Sequence, residues 1–321
     1  MKIFVKTLSL ALLVAFALVS PYFLDKRLSE KSSVKTEEKK VLVLWHADTF
    51  EGGTGSRQDF LMKTAVAFEK ANPGVLVSVV KHSEKSVAKN FSEGVLPDLI
   101  SFGIGINCVA EYAKPLKTGK NNVFFNSARS GGIAYFYPYA YGRYILFRSG
   151  KDGGAVVSQG NNNLPLFAAA RENFTFDKAL GTEESYASFV GGKYGVLLGT
   201  QRDVYRLTRR GFDFTCEPFG VFTDLVQYIA VTATDADRIS LSARFADYVV
   251  SDAVQKRLPE IGLFSPAEVE ADYGDEVMNS LCKTPPVAVL SGLLDAEKYS
   301  TLKLNDGEND FFAKFNEYVG Y

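Results

Sequence analysis

Apolar and polar positions along this chain fall into blocks that read as alternating strands and helices. Residues 41–45 (VLVLW) are wholly apolar, the pattern of a central strand buried on both faces. A glycine-rich stretch, HADTFEGGTGS, follows. Ser56 can then offer its hydroxyl to the amide of Asp59, and Phe60, Leu61, Ala65 and Phe68 recur on one face, so a helix is expected until Asn72-Pro73-Gly74 stops it. A strand over 75–80, a helix over about 84–93 and a strand over 99–102 continue the series. Strand, helix, strand, helix, strand is the signature of a parallel sheet with right-handed crossovers.

Beyond residue 116 the pattern changes. A polar stretch runs to about residue 130, and the tyrosine-rich 135–142 leads into an apolar strand over 144–147. Residues 151–163 are rich in Gly and Asn and read as irregular. Helical periodicity returns over 166–171 and 183–189, and a strand over 194–198 ends in Gly199-Thr200-Gln201-Arg202-Asp203. A strand over 224–231 precedes two helices, 238–250 and 253–258. No internal repeat is visible.

The amino terminus bears on compartment. Lys2 and Lys6 precede an apolar run over 7–24, which has the charged start and hydrophobic body of an export signal. Cleavage after Ala17 is one outcome; the apolar continuation through Leu24 favours an uncleaved signal anchor. No cysteine lies nearby to carry a lipid. Residues 25–40 are almost wholly polar and read as a mobile tether or a charged helical stalk.

Composition narrows the function classes. With 36 basic and 37 acidic side chains the chain lacks the cationic surplus that nucleic acid requires. The 25 Phe and 16 Tyr suit a protein that grips flat, partly polar ligands. Cys108, Cys216 and Cys282 lack metal or redox spacing and read as buried small hydrophobes, with one disulfide plus a free thiol as the alternative. Two histidines leave little general-base chemistry, and no Ser-His-Asp arrangement, nucleophile elbow or metal cluster is legible. Neither an enzyme nor a cofactor or metal is expected.

Taken in order, VLVLWHADTFEGGTGSRQDFL, FEKANPGVLVSVV, PDLISFG, AKPL, FYPYAYGRYILF, FVGGKYGVLLGT and FADYVVSDAVQKRLPEIGLFSP resemble the extracellular solute-binding proteins of ATP-binding-cassette importers, especially the family 1 group that binds sugars and oligosaccharides. The resemblance implies an α/β class II periplasmic-binding-protein fold, two α/β lobes joined by hinge strands. Lobe 1 would take residues 41–140 and 232–284 and lobe 2 residues 141–231 and 285–321, with crossings near 138–147 and 228–234. It also implies an extracytoplasmic monomer, anchored or secreted, that captures a sugar or oligosaccharide for the importer's permease subunits. An anchored sensor or scaffold that contacts a partner protein, or a binder of a small anion, are the alternatives.

In an open sheet, ligands sit outside the carboxyl ends of the strands. The first such loop supplies Trp45, Asp48, Thr49, Phe50 and Glu51; Trp45, the lone tryptophan, stacks on a sugar ring or plugs the core. His46 is a plain polar residue or a base. Gly52-Gly53-Thr54-Gly55 precedes a helix start and serves an anion or a turn. Arg57 offers a planar donor fork or a surface charge. Ser101, Phe102 and Gly103 end the PDLISFG strand. Tyr137, Tyr139, Tyr141 and Tyr144 lie on the crossover, where alternate residues share a face and form a ligand wall or hinge packing. Gln201, Arg202 and Asp203 follow the second-lobe strand, where Asp203 also suits a helix cap, and Asp224 is a further candidate.

Overall fold

The computed structural model describes residues 39–290 and 292, apart from 51–52, 107, 160–164, 166–171, 220–221 and 291. The predicted signal or anchor, nearly all of the charged linker, the helix over 166–171 and the tail beyond 292 lie outside the described residues. Among the described residues, no helix is long and apolar enough to cross a membrane.

The chain begins with β1 (Lys40–His46), α1 (Arg57–Ala71), β2 (Val75–Lys81), α2 (Glu84–Ser92) and β3 (Leu99–Gly103). Ser56 caps α1 as expected, its Oγ accepting from the Asp59 amide at 3.1 Å. Phe60, Leu61 and Phe68 on its inner face are buried, each contributing roughly 1.5–3 kcal/mol. After short helices α3 (Cys108–Tyr112) and α4 (Val123–Asn126) and a small hairpin, β4 (Arg129–Ser130) and β5 (Ile133–Ala134), the chain enters β6 (Phe136–Tyr141).

Gly142 and Arg143 join β6 to β7 (Tyr144–Arg148), which lies in a different sheet. There follow β8 (Gly154–Ser158), β9 (Lys178–Leu180), α5 (Thr182–Val190), β10 (Tyr194–Thr200), α6 (Gln201–Arg209) and β11 (Thr215–Pro218). The chain returns through β12 (Phe222–Thr223) and β13 (Val226–Val231) to α7 (Ala236–Val249), α8 (Asp252–Gln255), a 3-10 turn (Leu258–Ile261), α9 (Glu276–Leu281) and β14 (Ala288–Val289).

Two five-stranded sheets result, in the orders β2-β1-β3-β13-β6 and β11-β7-β10-β8-β9. The first is mixed: β1 and β3 are parallel, whereas β13 is antiparallel to both β3 and β6. The reason is topological, since β13 comes back from the second sheet and enters the first in reverse. It is buried along its whole length and paired on both edges, so it belongs to the first sheet although it precedes the expected boundary at 231.

Each face of the first sheet has its own core. One holds Leu42, Leu44, Phe60, Tyr137, Tyr139, Ile229 and Phe245 under α1 and α7. The other runs from Trp45, Ile100 and Phe102 through Tyr141 and Tyr144 to Phe147 and Leu197 of the second sheet, one continuous apolar body. The tyrosines therefore split. Pairing between β6 and β13 slips at Tyr139, a bulge that breaks strict alternation, so Tyr137 and Tyr139 face one core and Tyr141 and Tyr144 the other. All three cysteines are free and half-buried rather than fully enclosed.

Candidate functional site

The polar residues at the carboxyl ends of β1 and β3 meet in one hydrogen-bonded relay. Asp48 Oδ1 accepts from Arg57 Nε at 2.7 Å and lies 2.9 Å from His46 Nε2, while Lys81 Nζ is 3.0 Å from Asp48 Oδ2. Burial pulls the Asp48 carboxyl up, but the bond from His46, the charge of Arg57 and the bond from Lys81 outweigh it and hold the group well below the usual carboxylate range. An ionised Asp48 assigns the proton to His46 Nε2, which leaves Nδ1 to accept from Ser101 Oγ at 2.9 Å. Ser101 Oγ in turn accepts from Gln227 Nε2 at 3.1 Å and from the Tyr139 hydroxyl at 2.9 Å. Burial lowers the His46 pKa, consistent with a neutral ring.

Ser101, His46 and Asp48 thus form the serine, histidine and carboxylate contacts that the sequence did not reveal. The hydroxyl has no route to a substrate: Ser101, His46, Tyr139 and Gln227 are all 0% exposed. The relay ties β1, β3, β6 and β13 together, and leaves Arg57 Nη1 and Gln227 Oε1 as its buried atoms without a hydrogen-bond partner.

The other residues expected at the ligand are mostly enclosed. Trp45 stacks on His82 with ring centroids 4.2 Å apart and meets Phe91 edge-on. Arg57, 6% exposed, lies over the Phe50 ring and donates to the Phe50 carbonyl. Gly103 is filled from outside: a Cβ there would overlap Thr49 Oγ1. Phe102 packs edge-on against Phe136. Glu51 and Gly52 lie outside the described residues.

On the other side of the crossing, Gln201 is buried and its Oε1 accepts from the Arg143 amide at 2.9 Å. Asp203 accepts from the Thr200 amide at 3.2 Å, closing the first turn of α6. Arg202 is 3.8 Å from Glu183, and Asp224 accepts from the Tyr144 hydroxyl at 2.6 Å. The Gln201 and Asp224 bonds, with Thr223 Oγ1 donating to the Gly142 carbonyl at 2.7 Å, fix the crossing between the sheets. The Arg143 guanidinium is buried and donates to the Leu281 and Thr284 carbonyls, which holds the segment after α9 against the crossing.

A cavity of about 790 Å³ opens beside this crossing. Its wall is a run of four rings: Phe124 and Tyr141 (4.3 Å), Tyr141 and Phe264 (5.4 Å), Phe264 and Tyr273 (5.4 Å). Ser265, Asn279 and Cys282 add polar atoms, and Glu268, Glu270, Asp272 and Lys283 add charge. Tyr273 is fixed by its hydroxyl, which donates to the Leu263 carbonyl at 2.9 Å. Glu268 has a left-handed backbone (φ 57°) and accepts from Asn122 Nδ2 at 3.2 Å. Of the ligand-contact candidates named from sequence and described in the structure, Tyr141 alone lines this space. The 264–285 segment was missed because its acids and aromatics follow neither a helical nor a strand period; they converge only when the chain folds back on β6. Among the described residues, no group of three or more His, Cys, Asp or Glu side chains could hold a metal.

No protein-family model matches the chain, and no curated protein matches it. Solved structures do. A cyclo/maltodextrin-binding protein complexed with maltotetraose is 15% identical, with a TM-score of 0.61 over 89% of this chain and 94% of that one. The GacH receptor of Streptomyces glaucescens, solved unliganded and with acarbose, is 15% identical, with a TM-score of 0.58 over 88% and 94%. The sugar-binding protein MalE from Xanthomonas citri is 11% identical, with a TM-score of 0.59 over 88% and 92%. What this chain shares with them is the fold: two α/β lobes joined by hinge strands, the class II periplasmic-binding-protein fold.

Proposed function

We propose that this protein is an extracytoplasmic solute-binding protein that captures a sugar or oligosaccharide for an ATP-binding-cassette importer. The cavity of about 790 Å³ carries the reading. It lies within the roughly 300–1,000 Å³ typical of small-ligand sites, and it sets exposed hydrogen-bonding groups over a buried aromatic floor, a mixture that suits the hydroxyl edges and apolar bodies of sugar rings. It also abuts β6, where the chain crosses between sheets, so a ligand there can bias a hinge and present a closed form to a permease. The names of the similar structures, maltodextrin-binding and sugar-binding, support the same class. Three carboxylates around the cavity disfavour the small-anion alternative.

The first-sheet loops expected to touch ligand then serve the architecture, and the ligand contacts lie on β6 and the 264–285 segment. The enclosure of Trp45, Ser101 and Tyr139 supports a second reading, a sensor or scaffold that keeps the fold but presents a surface to a partner protein. A thermal-shift screen of mono- and oligosaccharides separates the two. A ligand at a hundred times its Kd is expected to raise Tm by about 5–10 °C; no rise with any saccharide favours the scaffold.

A further inference from the structure

Resting on the sugar-capture reading, we infer that residues 267–271 form a flap that covers the aromatic floor of the cavity and lifts to admit the sugar. The floor is closed: Phe124, Tyr141, Phe264 and Tyr273 are between 1% and 8% exposed, so a sugar has no ring face to lie on until something moves. Glu268, Val269, Glu270 and Ala271 line the same cavity, and Ala271 packs against the apolar body that holds all four rings.

Both ends of this segment are pinned. At one, Ser265 Oγ donates to Gln255 Oε1 at 2.7 Å and the Pro266 carbonyl accepts from Asn122 Nδ2 at 2.9 Å. At the other, Asp272 accepts from the Gly274 amide at 2.9 Å and from Asn279 Nδ2 at 3.0 Å, while the Tyr273 amide donates to Asn279 Oδ1 at 2.8 Å. The middle is almost free. Among the described residues, no main-chain group from Glu268 to Ala271 makes a hydrogen bond. One latch remains, Glu268 Oε1 accepting from Asn122 Nδ2 at 3.2 Å. Closing it holds Glu268 in a left-handed backbone (φ 57°), which an L side chain disfavours. Lifting the flap therefore breaks one side-chain bond and the Ala271 contact, releases the strain at Glu268 and leaves the ladder of β6 untouched. A segment so lightly held and so placed gates the rings beneath it.

Hydroxyl-radical footprinting of the full chain, resolved by mass spectrometry, reads the exposure of Tyr141 and Phe264 directly. Glu268→Ala removes the latch and is expected to oxidise both rings about fivefold faster, the weight of one hydrogen bond; Glu268→Gln keeps the acceptor and should stay close to wild type. Titration with the glucose tetramers maltotetraose and cellotetraose is expected to show Glu268→Ala binding a few-fold tighter, through faster association, because more of it is already uncovered. Rings oxidised no faster in Glu268→Ala than in wild type overturn the flap and leave sugar capture standing. Faster oxidation with weaker binding also overturns it, since Glu268 would then hold sugar rather than latch a cover. Binding of neither tetramer, with no saccharide active in the thermal-shift screen, overturns sugar capture itself.

Discussion

Replacing Asp48 by Asn removes the one negative charge on which His46, Arg57 and Lys81 converge, yet keeps an oxygen able to accept from Arg57 Nε. The charge is lost together with one acceptor, since the Asn Nδ2 that replaces Oδ2 cannot accept from Lys81 Nζ. Breaking a fully buried ion pair from one side costs about 3–5 kcal/mol. A third of the Asp48 side chain is exposed and Lys81 more than half, so solvent screening reduces the expected loss to about 2 kcal/mol at pH 7. The pH dependence follows from the sign of the shift. A carboxyl held below its unfolded pKa contributes stability that is complete above about pH 4 and is lost as pH falls further, at up to about 1.4 kcal/mol per pH unit. The Asp48→Asn variant has no carboxyl at this position to protonate, so the two proteins are expected to converge near pH ~2.5. His46, its pKa lowered by burial, costs both proteins stability as pH falls below about 6.5, and the gap does not close there. Urea unfolding followed by the emission of Trp45, the lone tryptophan and the neighbour of His46, measures both curves. A gap below about 0.5 kcal/mol at pH 7, or one unchanged from pH 7 to pH 3, refutes the relay as an ionised clasp.

Gly103→Ala is expected to cost about 1–3 kcal/mol, because its Cβ would overlap Thr49 Oγ1 and sit 3.1 Å from the Val226 carbonyl; Thr49→Ala should recover part of the loss in the same unfolding assay. Arg143→Met strips the donors that hold the carbonyls on either side of Cys282 and Lys283, so it should cost about 1–3 kcal/mol and weaken sugar binding through a looser cavity wall. Affinity equal to wild type would show that this anchor does not position the wall. Ser101→Ala should destabilise by about 1–3 kcal/mol by orphaning His46 Nδ1 and the Tyr139 hydroxyl, and a fluorophosphonate probe should leave the wild-type serine unlabelled. Labelling of Ser101 would reopen a hydrolytic role.

The first sheet was readable because its signals are local. VLVLW, the Ser56 cap and the Asn72-Pro73-Gly74 stop each depend on neighbouring residues, and the structure places β1, the α1 cap and the α1 terminus there. The direction of β13 was not readable, since an apolar strand looks alike whichever way it pairs. The face of each tyrosine on β6 was hidden by a bulge that only pairing with β13 creates. The loops after β1 and β3 hold the expected residue types, but whether such residues face water or each other depends on partners 55 or 126 positions away, as for Ser101 with His46 and Gln227. The cavity shows the limit most clearly: Phe124, Tyr141 and Tyr273 are far apart in the chain and adjacent in space.

A crystal structure with the saccharide that most raises Tm in the thermal-shift screen would locate the ligand outright. A sugar seated in the cavity beside Tyr273, in hydrogen-bond reach of Ser265 or Asn279, is the expected result. Density instead beside Trp45 and Asp48, with the cavity next to β6 left to water, would contradict the placement of the binding site.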